Sequence, residues 1–398
     1  MERTQLYYRY NPWWDGNFSL DGIIERPKLL SNTVKLLDSK DIILLTGLRR
    51  VGKTTLMRML ISYLIVKVEI ASKYIFYLSM DDYSLKDKTL AEIIDEYRKI
   101  HKIKFAEKIY LFLDEITALR DYEIQLKNFY DTQNVKIIAS SSSASILRER
   151  KAHMTGRHRF IEVPPLDFEE YLFFKDISIK PADRGLLESY FEDYMKTGGM
   201  PEHVLTGEIE YLKNLVDDII YKDIAAVNGI KNLRLLKDFF LILMERAGKP
   251  LSINKMARIL DISPDTSKRY LSLFENTFLI NLIPKSGKLN VRLKSQKKLY
   301  VADLGIRVLF TGYRDIGSLF ENYVYNLVKK QNPEYLVEDG IEIDFLTEEK
   351  ILIEVKYNDS LRPEQQKLFD SFPAKEKIII GNVYDLEKLN KIFRRNHT

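Results

Sequence analysis

The sequence predicts an α/β protein of several domains: a parallel sheet with helices between its strands, a helical extension, a small helix-turn-helix unit, and a second α/β domain at the C-terminal end. Three observations carry this. Short β-rich runs alternate with helical spacing between about residues 41 and 163, "GLRRVGKTT" follows the first of those runs, and beyond residue 301 the order reads helix, three strands, helix, strand.

The first region's strand-like runs are "DIILLT", "YIFYLSM", "IYLFLDE", "VKIIASS" and "RFIEVPP". Each is short and rich in aliphatic and aromatic residues, and helix-length segments separate them, so residues 1–165 are assigned to a parallel sheet with crossover helices. From "LDFEEYLFF" to "LMERAG" the apolar spacing becomes helical, broken only at "TGGMPEHV", where Gly-Gly and Pro require a turn. Residues 166–231 are therefore a helical extension.

Residues 232–300 are read as a winged helix-turn-helix. "SINKMARIL" is a helix opened by Ser252, "DIS" a turn, and "PDTSKRYLSLFENT" a second helix with Ser263 as N-cap and Pro264 at its first position. "FLINLI" and "KLNVRL" flank "PKSG" as the two strands of a wing. Residues 301–398 contain the helix "GSLFENYVYNLVKK", strands near 334, 341 and 351, the helix "PEQQKLFDSF", the strand "KIIIG" and a last helix.

Composition narrows the function classes. With 398 residues the chain exceeds one ordinary core, and 45% hydrophobic with 30% charged residues describes a globular protein. Its 62 Lys and Arg against 57 Asp and Glu give +5, too small a surplus to mark a nucleic-acid binder unless the charges cluster. The absence of cysteine excludes disulfides, thiolate nucleophiles and cysteine-based zinc sites. No run approaches the ~18 apolar residues of a membrane span and "MERTQLYYRY" lacks the apolar region of a signal peptide, so a cytoplasmic protein with no membrane partner is expected.

"LLTGLRRVGKTTLM" holds Gly47, four residues, then Gly52, Lys53 and Thr54, between a strand and a helix, which is the setting a P-loop requires. Its glycines let the backbone curl so that N–H groups through Arg49, Arg50, Val51 and Thr55, and the helix N-terminus, meet the phosphates of ATP. Lys53 supplies charge to the β- and γ-phosphates and Thr54 places its hydroxyl on Mg²⁺. The strand "IYLFLDEI" ends in Asp114, expected to hold Mg²⁺, and Glu115, expected to accept a proton from the attacking water. In "IIASSSSAS", Ser140 and Ser141 are candidates to touch the γ-phosphate or that water, or they are simply a polar, helix-capping loop. "TGRHRF" offers Arg157 or Arg159 as a cation for the transferring phosphoryl group, supplied from a neighbouring subunit if the protein is a homo-oligomer, or as plain surface arginines.

"NPWW", "GLRRVGKTTL", "LFLDEI", the serine run, "GRHRFIEVPPLDFEEYL", "GGMPE" and "LYVADLGIRVLF" together resemble the archaeal-type AAA-like ATPases fused to a C-terminal restriction-nuclease-like domain. The resemblance covers nearly the whole chain. It implies a P-loop module related to signal-transducing NTPases and the roles above for Gly47, Gly52, Lys53, Thr54, Asp114 and Glu115. The family's glycine-serine run after the fourth strand is serine-only here, which leaves open which serine senses nucleotide.

In "IDFLTEEKILIEVKY", Ile341, Ile343 and Phe345 alternate with Glu342 and Asp344, and Ile351, Ile353 and Val355 alternate with Glu354 and Lys356. Burying both apolar sets on one face brings Asp344, Glu354 and Lys356 together on the other, with Asp344 opposite Glu354. Two carboxylates bind Mg²⁺ or Mn²⁺ and a lysine orients the attacking water; Glu321 on the preceding helix is the expected further ligand. The plainer alternative is a hairpin whose polar face is wet. Nucleic acid, DNA above all, is the expected partner: Lys268 and Arg269 lie on the second helix of the helix-turn-helix, and Lys285, Lys288, Arg292, Lys294, Lys297 and Lys298 in and after the wing. Two functions follow from these residues, a DNA-associated ATP hydrolase with a metal-dependent nuclease site, or a nucleotide-dependent switch whose C-terminal domain binds and does not cut.

Overall fold

The computed structural model describes residues 3–16, 18–143 and 156–395, in two compact units, Met1–Pro164 and Pro165–Thr398. In the first unit β1 (Ile42–Thr46), β2 (Ile75–Ser79), β3 (Ile109–Asp114), β4 (Val135–Ser141) and β5 (His158–Glu162) form one parallel sheet in the order β2-β3-β4-β1-β5. Every residue of β1, β3 and β4 is buried, as continuous aliphatic runs covered by helices on both faces require. Thr46 of β1 pairs with Ser141 of β4, and Leu113 of β3 with Ala139. The loop after β1 and the acids closing β3 therefore leave the same edge of the sheet, with the serines of β4 between them. Ligands of parallel sheets bind at such carboxyl ends.

β2 is an edge strand, and the N-terminal segment closes it. Asn11 accepts from the Tyr77 amide (2.6 Å) and donates to the Tyr77 carbonyl (2.8 Å), while the indoles of Trp13 and Trp14 donate to the Ile75 carbonyl (3.1 and 3.0 Å). "NPWW" thus satisfies edge groups that would otherwise recruit another strand.

The second unit begins with helices Phe168–Phe174, Leu187–Thr197, Pro201–Thr206 and Ile209–Asp217, the last continuing as the π-helical stretch Asp218–Ala226. At the Gly198-Gly199 turn a Cβ on Gly198 would stand 2.4 Å from the Gly305 nitrogen, and Asp303 accepts from the Gly199 amide at 2.6 Å. Only glycine permits that approach. Helix Leu233–Glu245 leads to the helix pair Ile253–Ile259 and Pro264–Asn276, capped by the hydroxyls of Ser252 and Ser263.

β6 (Pro250–Leu251), β7 (Ile280–Ile283) and β8 (Lys297–Val301) form an antiparallel sheet in the order β6-β8-β7. Here the structure departs from the expected wing. "KLNVRL" contributes the helix Leu289–Lys294, and β7 pairs instead with "KKLYV". The alternating Leu289, Val291 and Leu293 have no sheet face to bury against, being 66%, 40% and 73% exposed, whereas Leu299, Tyr300 and Val301 are fully buried. Burial decided between two strand-like runs.

After the helix Ile316–Val328, β9 (Glu334–Glu338), β10 (Ile341–Leu346), β11 (Ile351–Val355) and β12 (Glu376–Ile380) make a sheet ordered β12-β11-β10-β9, in which only the β11–β12 pairing is parallel. The helix Pro363–Ser371 crosses from β11 to β12.

Candidate functional site

The loop between β1 and the helix Lys53–Val66 owes its shape to two glycines. Gly47 has φ +142 and a Cβ there would lie 2.3 Å from the Val163 carbonyl oxygen; Gly52 has φ +98. Gly52 is also the N-cap and offers no side chain to the first turn, so that turn's N–H groups remain directed at whatever lies beyond the helix end. The buried Lys53 ammonium donates to the Gly47 and Leu48 carbonyls (3.0 Å each), closing the curl from inside. Val51 is buried, Thr55 and Arg49 half-buried, and Arg50 exposed with φ 64. Arg26, which sequence reasoning missed, is buried and donates to the Pro164 carbonyl (2.8 Å) and the Val51 carbonyl (3.4 Å), tying the loop to the chain beyond β5. Nothing local in "ERP" signals that reach.

Asp114 is the hub. Its Oδ2 accepts from Thr54 Oγ1 (2.5 Å) and the Tyr77 hydroxyl (2.9 Å), and its Oδ1 from Ser140 Oγ. Ser140 Oγ in turn accepts from the Glu115 amide (3.0 Å). Glu115 adopts the left-handed conformation, φ 48, and its Oε2 accepts from the Ser142 hydroxyl (3.1 Å) and amide (3.3 Å). Ser141 faces elsewhere, 3.3 Å from Thr117 Oγ1. Of the two serines singled out, Ser140 stands at the acid, and Ser142 was not foreseen; the run beyond Ser143 lies outside the described residues. All three side chains on Asp114 are neutral hydroxyl donors, so its charge is bonded but not cancelled. Such a carboxylate beside a threonine hydroxyl fits Mg²⁺, with Thr54 and Asp114 as the residues that would hold it.

Arg157, offered as a cation from a neighbouring subunit or as a surface arginine, stands away from its own chain's loop. Ile42 pairs with His158, so Arg157 sits at the starting edge of the sheet while the loop leaves from Thr46 at the other. Its Nε is 3.0 Å from Asp131 Oδ1, and Arg159 is 2.8 Å from Asp41. Neither reaches the loop of its own chain; either could serve only another copy's.

In the second unit Phe345 faces Ile353 and Leu346 faces Leu352, so Asp344 and Glu354 are neighbours. The Asp344 amide donates to Glu354 Oε2 (3.1 Å), the Val355 amide to Asp344 Oδ2 (3.0 Å), Gln365 Nε2 to Glu354 Oε1 (3.3 Å), and Lys356 Nζ lies 2.7 Å from the same oxygen. The face is not wet: Asp344 is 6% and Glu354 1% exposed. Its cover includes Lys298 of β8, whose Nζ lies 2.7 Å from Glu321, 2.6 Å from Glu342 and 3.1 Å from Asp344. Tyr300 donates to Glu321 Oε1 at 2.5 Å.

Two expectations change here. Lys298, buried among carboxylates, is no phosphate contact. Glu321, Asp344 and Glu354 are not a ready metal triad either: among the described residues no three or more His, Cys, Asp or Glu side chains are grouped to hold an ion, and the Lys298 ammonium sits between Glu321 and Asp344 instead. Burial, then Asp344, push Glu321 up to about 7 and Glu354 up to about 8. Burial opposes the Lys298 charge, yet Glu321, Asp344 and Glu342 hold it well above the ordinary lysine value.

Residues 39–172 match the AAA domain family AAA_14, and residues 188–316 match a domain of unknown function, DUF8612. The first unit is a P-loop α/β fold similar to AAA domains. An uncharacterised protein of Methanocaldococcus jannaschii is 29% identical over 394 residues, spanning 88% of this chain and 82% of that one. An uncharacterised protein of Haemophilus influenzae is 26% identical over 396 residues, spanning 93% and 96%. Relatives thus occur in a bacterium as well as an archaeon. Among solved structures, the Walker-type ATPase of Pyrococcus abyssi matches 73% of this chain and 97% of its own at 14% identity and TM-score 0.45. The ORC2 protein of Aeropyrum pernix matches 80% and 97% at 12% identity and TM-score 0.40. No helix among the described residues is long and apolar enough to cross a membrane.

Proposed function

We propose that the protein binds ATP with Mg²⁺ and hydrolyses it, and that nucleotide state governs a second unit that binds nucleic acid. The observation that carries the first half is the convergence of Thr54, Tyr77 and Ser140 on Asp114, with Glu115 beside it at the same sheet edge as the loop. The loop amides and the first turn of Lys53–Val66 hold phosphate oxygens, and Lys53 adds a positive charge. Bound at Thr54 and Asp114, Mg²⁺ would neutralise charge on the phosphates. Glu115 accepts the proton of the attacking water; Ser142 fixes its Oε2 and Ser140 its amide, leaving Oε1 for that proton.

Steady-state ATP turnover and nucleotide binding test this in two variants. Lys53→Ala should lose turnover while the protein stays folded, because its charge serves phosphate. Glu115→Gln should keep binding and lose turnover, because an amide still hydrogen-bonds but cannot take the proton. Unchanged hydrolysis by folded Lys53→Ala overturns the reading.

For the second unit the Lys298 ammonium among the carboxylates favours binding over cutting, since it already supplies the cation that a cutting site takes from solution. The DNA-facing candidates are the exposed Lys268 and Arg269, and Lys288, Arg292, Lys294 and Lys297 along and beside the helix Leu289–Lys294. The competing reading, metal-dependent cleavage by Asp344, Glu354 and Lys356, predicts plasmid nicking with Mn²⁺ that Asp344→Ala removes.

A further inference from the structure

The "NPWW" segment does more than cover β2. Together with the sheet and the Lys53–Val66 helix it borders an open cavity of about 220 Å³ lined, among the described residues, by Arg9, Tyr10, Pro12, Trp13, Phe18, Ser19, Arg58 and Tyr77. None of residues 47–55 lines it, so it is not the phosphate loop's own space.

Its walls are fixed and their polar tips are occupied. The Tyr10 hydroxyl donates to Asp82 (2.9 Å), the Tyr77 hydroxyl to Asp114 (2.9 Å) and the Trp13 indole to the Ile75 carbonyl (3.1 Å). Trp13 and Phe18 meet edge to face at 5.2 Å. The rings therefore present rigid apolar surface and little hydrogen-bonding capacity. What remains for a ligand is the Ser19 hydroxyl proton, its oxygen already accepting from the Asp21 amide (3.0 Å), and two exposed guanidiniums, Arg9 and Arg58; among the described lining residues none is acidic, Asp82 and Asp114 standing behind the Tyr10 and Tyr77 hydroxyls. Aromatic walls with an arginine rim select a flat ring that carries a negative charge. The volume lies below the roughly 300–1,000 Å³ of drug-sized sites, which suits one ring and its phosphate.

We infer that this cavity binds a nucleobase bearing a 5′-phosphate, the base lying against the half-buried ring of Phe18 beside the edges of Trp13 and Tyr77, and the phosphate at Arg9 and Arg58. Such a group comes either from single-stranded nucleic acid or from a free mononucleotide. Occupancy is placed to reach the ATP site, because Tyr77 shares Asp114 Oδ2 with Thr54; this coupling rests on the role proposed for Asp114, whereas the binding does not.

Trp13 and Trp14 are the only tryptophans in the sequence, so tryptophan fluorescence, excited selectively over the chain's 24 tyrosines, reports on this segment alone. Thymidine 5′-monophosphate and a 5′-phosphorylated oligothymidylate should quench it, and unphosphorylated thymidine should bind about tenfold more weakly, as loss of a charged contact implies. Arg58→Glu and Arg9→Glu, both on exposed side chains, should each weaken quenching by about tenfold or more, while Lys53→Ala should leave it unchanged. Quenching by the oligonucleotide well below the mononucleotide concentration identifies nucleic acid as the source, and equal concentrations identify the free nucleotide. No quenching by either phosphorylated probe, quenching at wild-type probe concentrations in both arginine variants, or its loss in Lys53→Ala overturns the proposal.

Discussion

Asp114 and Asp344 are both buried aspartates at the heart of polar clusters, but their partners differ in charge. Asp114 is met by the hydroxyls of Thr54, Tyr77 and Ser140. Asp344 is met by the Lys298 ammonium, which also serves Glu321 and Glu342. Hydroxyls satisfy a carboxylate's lone pairs and leave its charge for an external cation, whereas an internal ammonium supplies the counter-charge within the fold. The first arrangement suits a site that takes up Mg²⁺ with each nucleotide. The second suits a site whose cation is covalently part of the chain.

The largest expected effect attacks this contrast directly. Lys298→Met should lower the stability of the second unit by about 3–5 kcal/mol, the usual cost of stranding a buried ionic partner, read by urea denaturation. A loss near zero would mean that the carboxyls are protonated or solvated without the lysine and that the contrast is false. Next, Ser140→Ala removes a donor to Asp114 and the acceptor of the Glu115 amide, and should reduce kcat by about 10–100-fold with little change in nucleotide affinity. A change confined to KM would show that Ser140 only helps to bind.

The pH dependence follows from Glu321 and Glu354, pushed from the ordinary 4.5 to about 7 and about 8. The folded state binds more protons than the unfolded state in that window, so the stabilising contribution is full below pH 4.5 and is lost as pH rises toward 8. Stability of the second unit should therefore fall from pH 5 to pH 8, and Glu354→Gln should flatten the slope. A stability that rises over the same range contradicts the assignment. The smallest effect belongs to the surface: replacing Lys288, Lys294 and Lys297 with Ala should flatten the dependence of log DNA affinity on log salt by up to ~0.9 per lost phosphate contact. An unchanged slope removes that helix from the DNA interface.

What the sequence made legible was local. The parallel strands were visible as short apolar runs, and the loop as glycines at fixed spacing before Lys53 and Thr54, because backbone conformation and burial impose those patterns within a few residues. The hairpin register was readable for the same reason, as the period of two admits one way to bury Ile343, Phe345, Ile351 and Ile353 together. Arg26, Asn11 and Lys298 were not readable. Each acts on a partner brought near only by the fold, as when Asn11 meets Tyr77 or Lys298 meets Asp344. Lys298 in particular reads as one more charge in a basic stretch, and only the packing of β8 against the C-terminal sheet turns it inward. The expected wing strand failed because Leu289, Val291 and Leu293 alternate correctly but have nothing to cover them.

The contrast between the two aspartates is tested most directly by counting Mn²⁺ bound to the full chain in the presence of a non-hydrolysable ATP analogue, by electron paramagnetic resonance. One tightly held ion per chain is expected, lost in Asp114→Asn and retained in Asp344→Asn. An ion that survives Asp114→Asn and disappears in Asp344→Asn would contradict the contrast, placing the chain's cation site in the C-terminal sheet and making Lys298 a side chain that yields to metal.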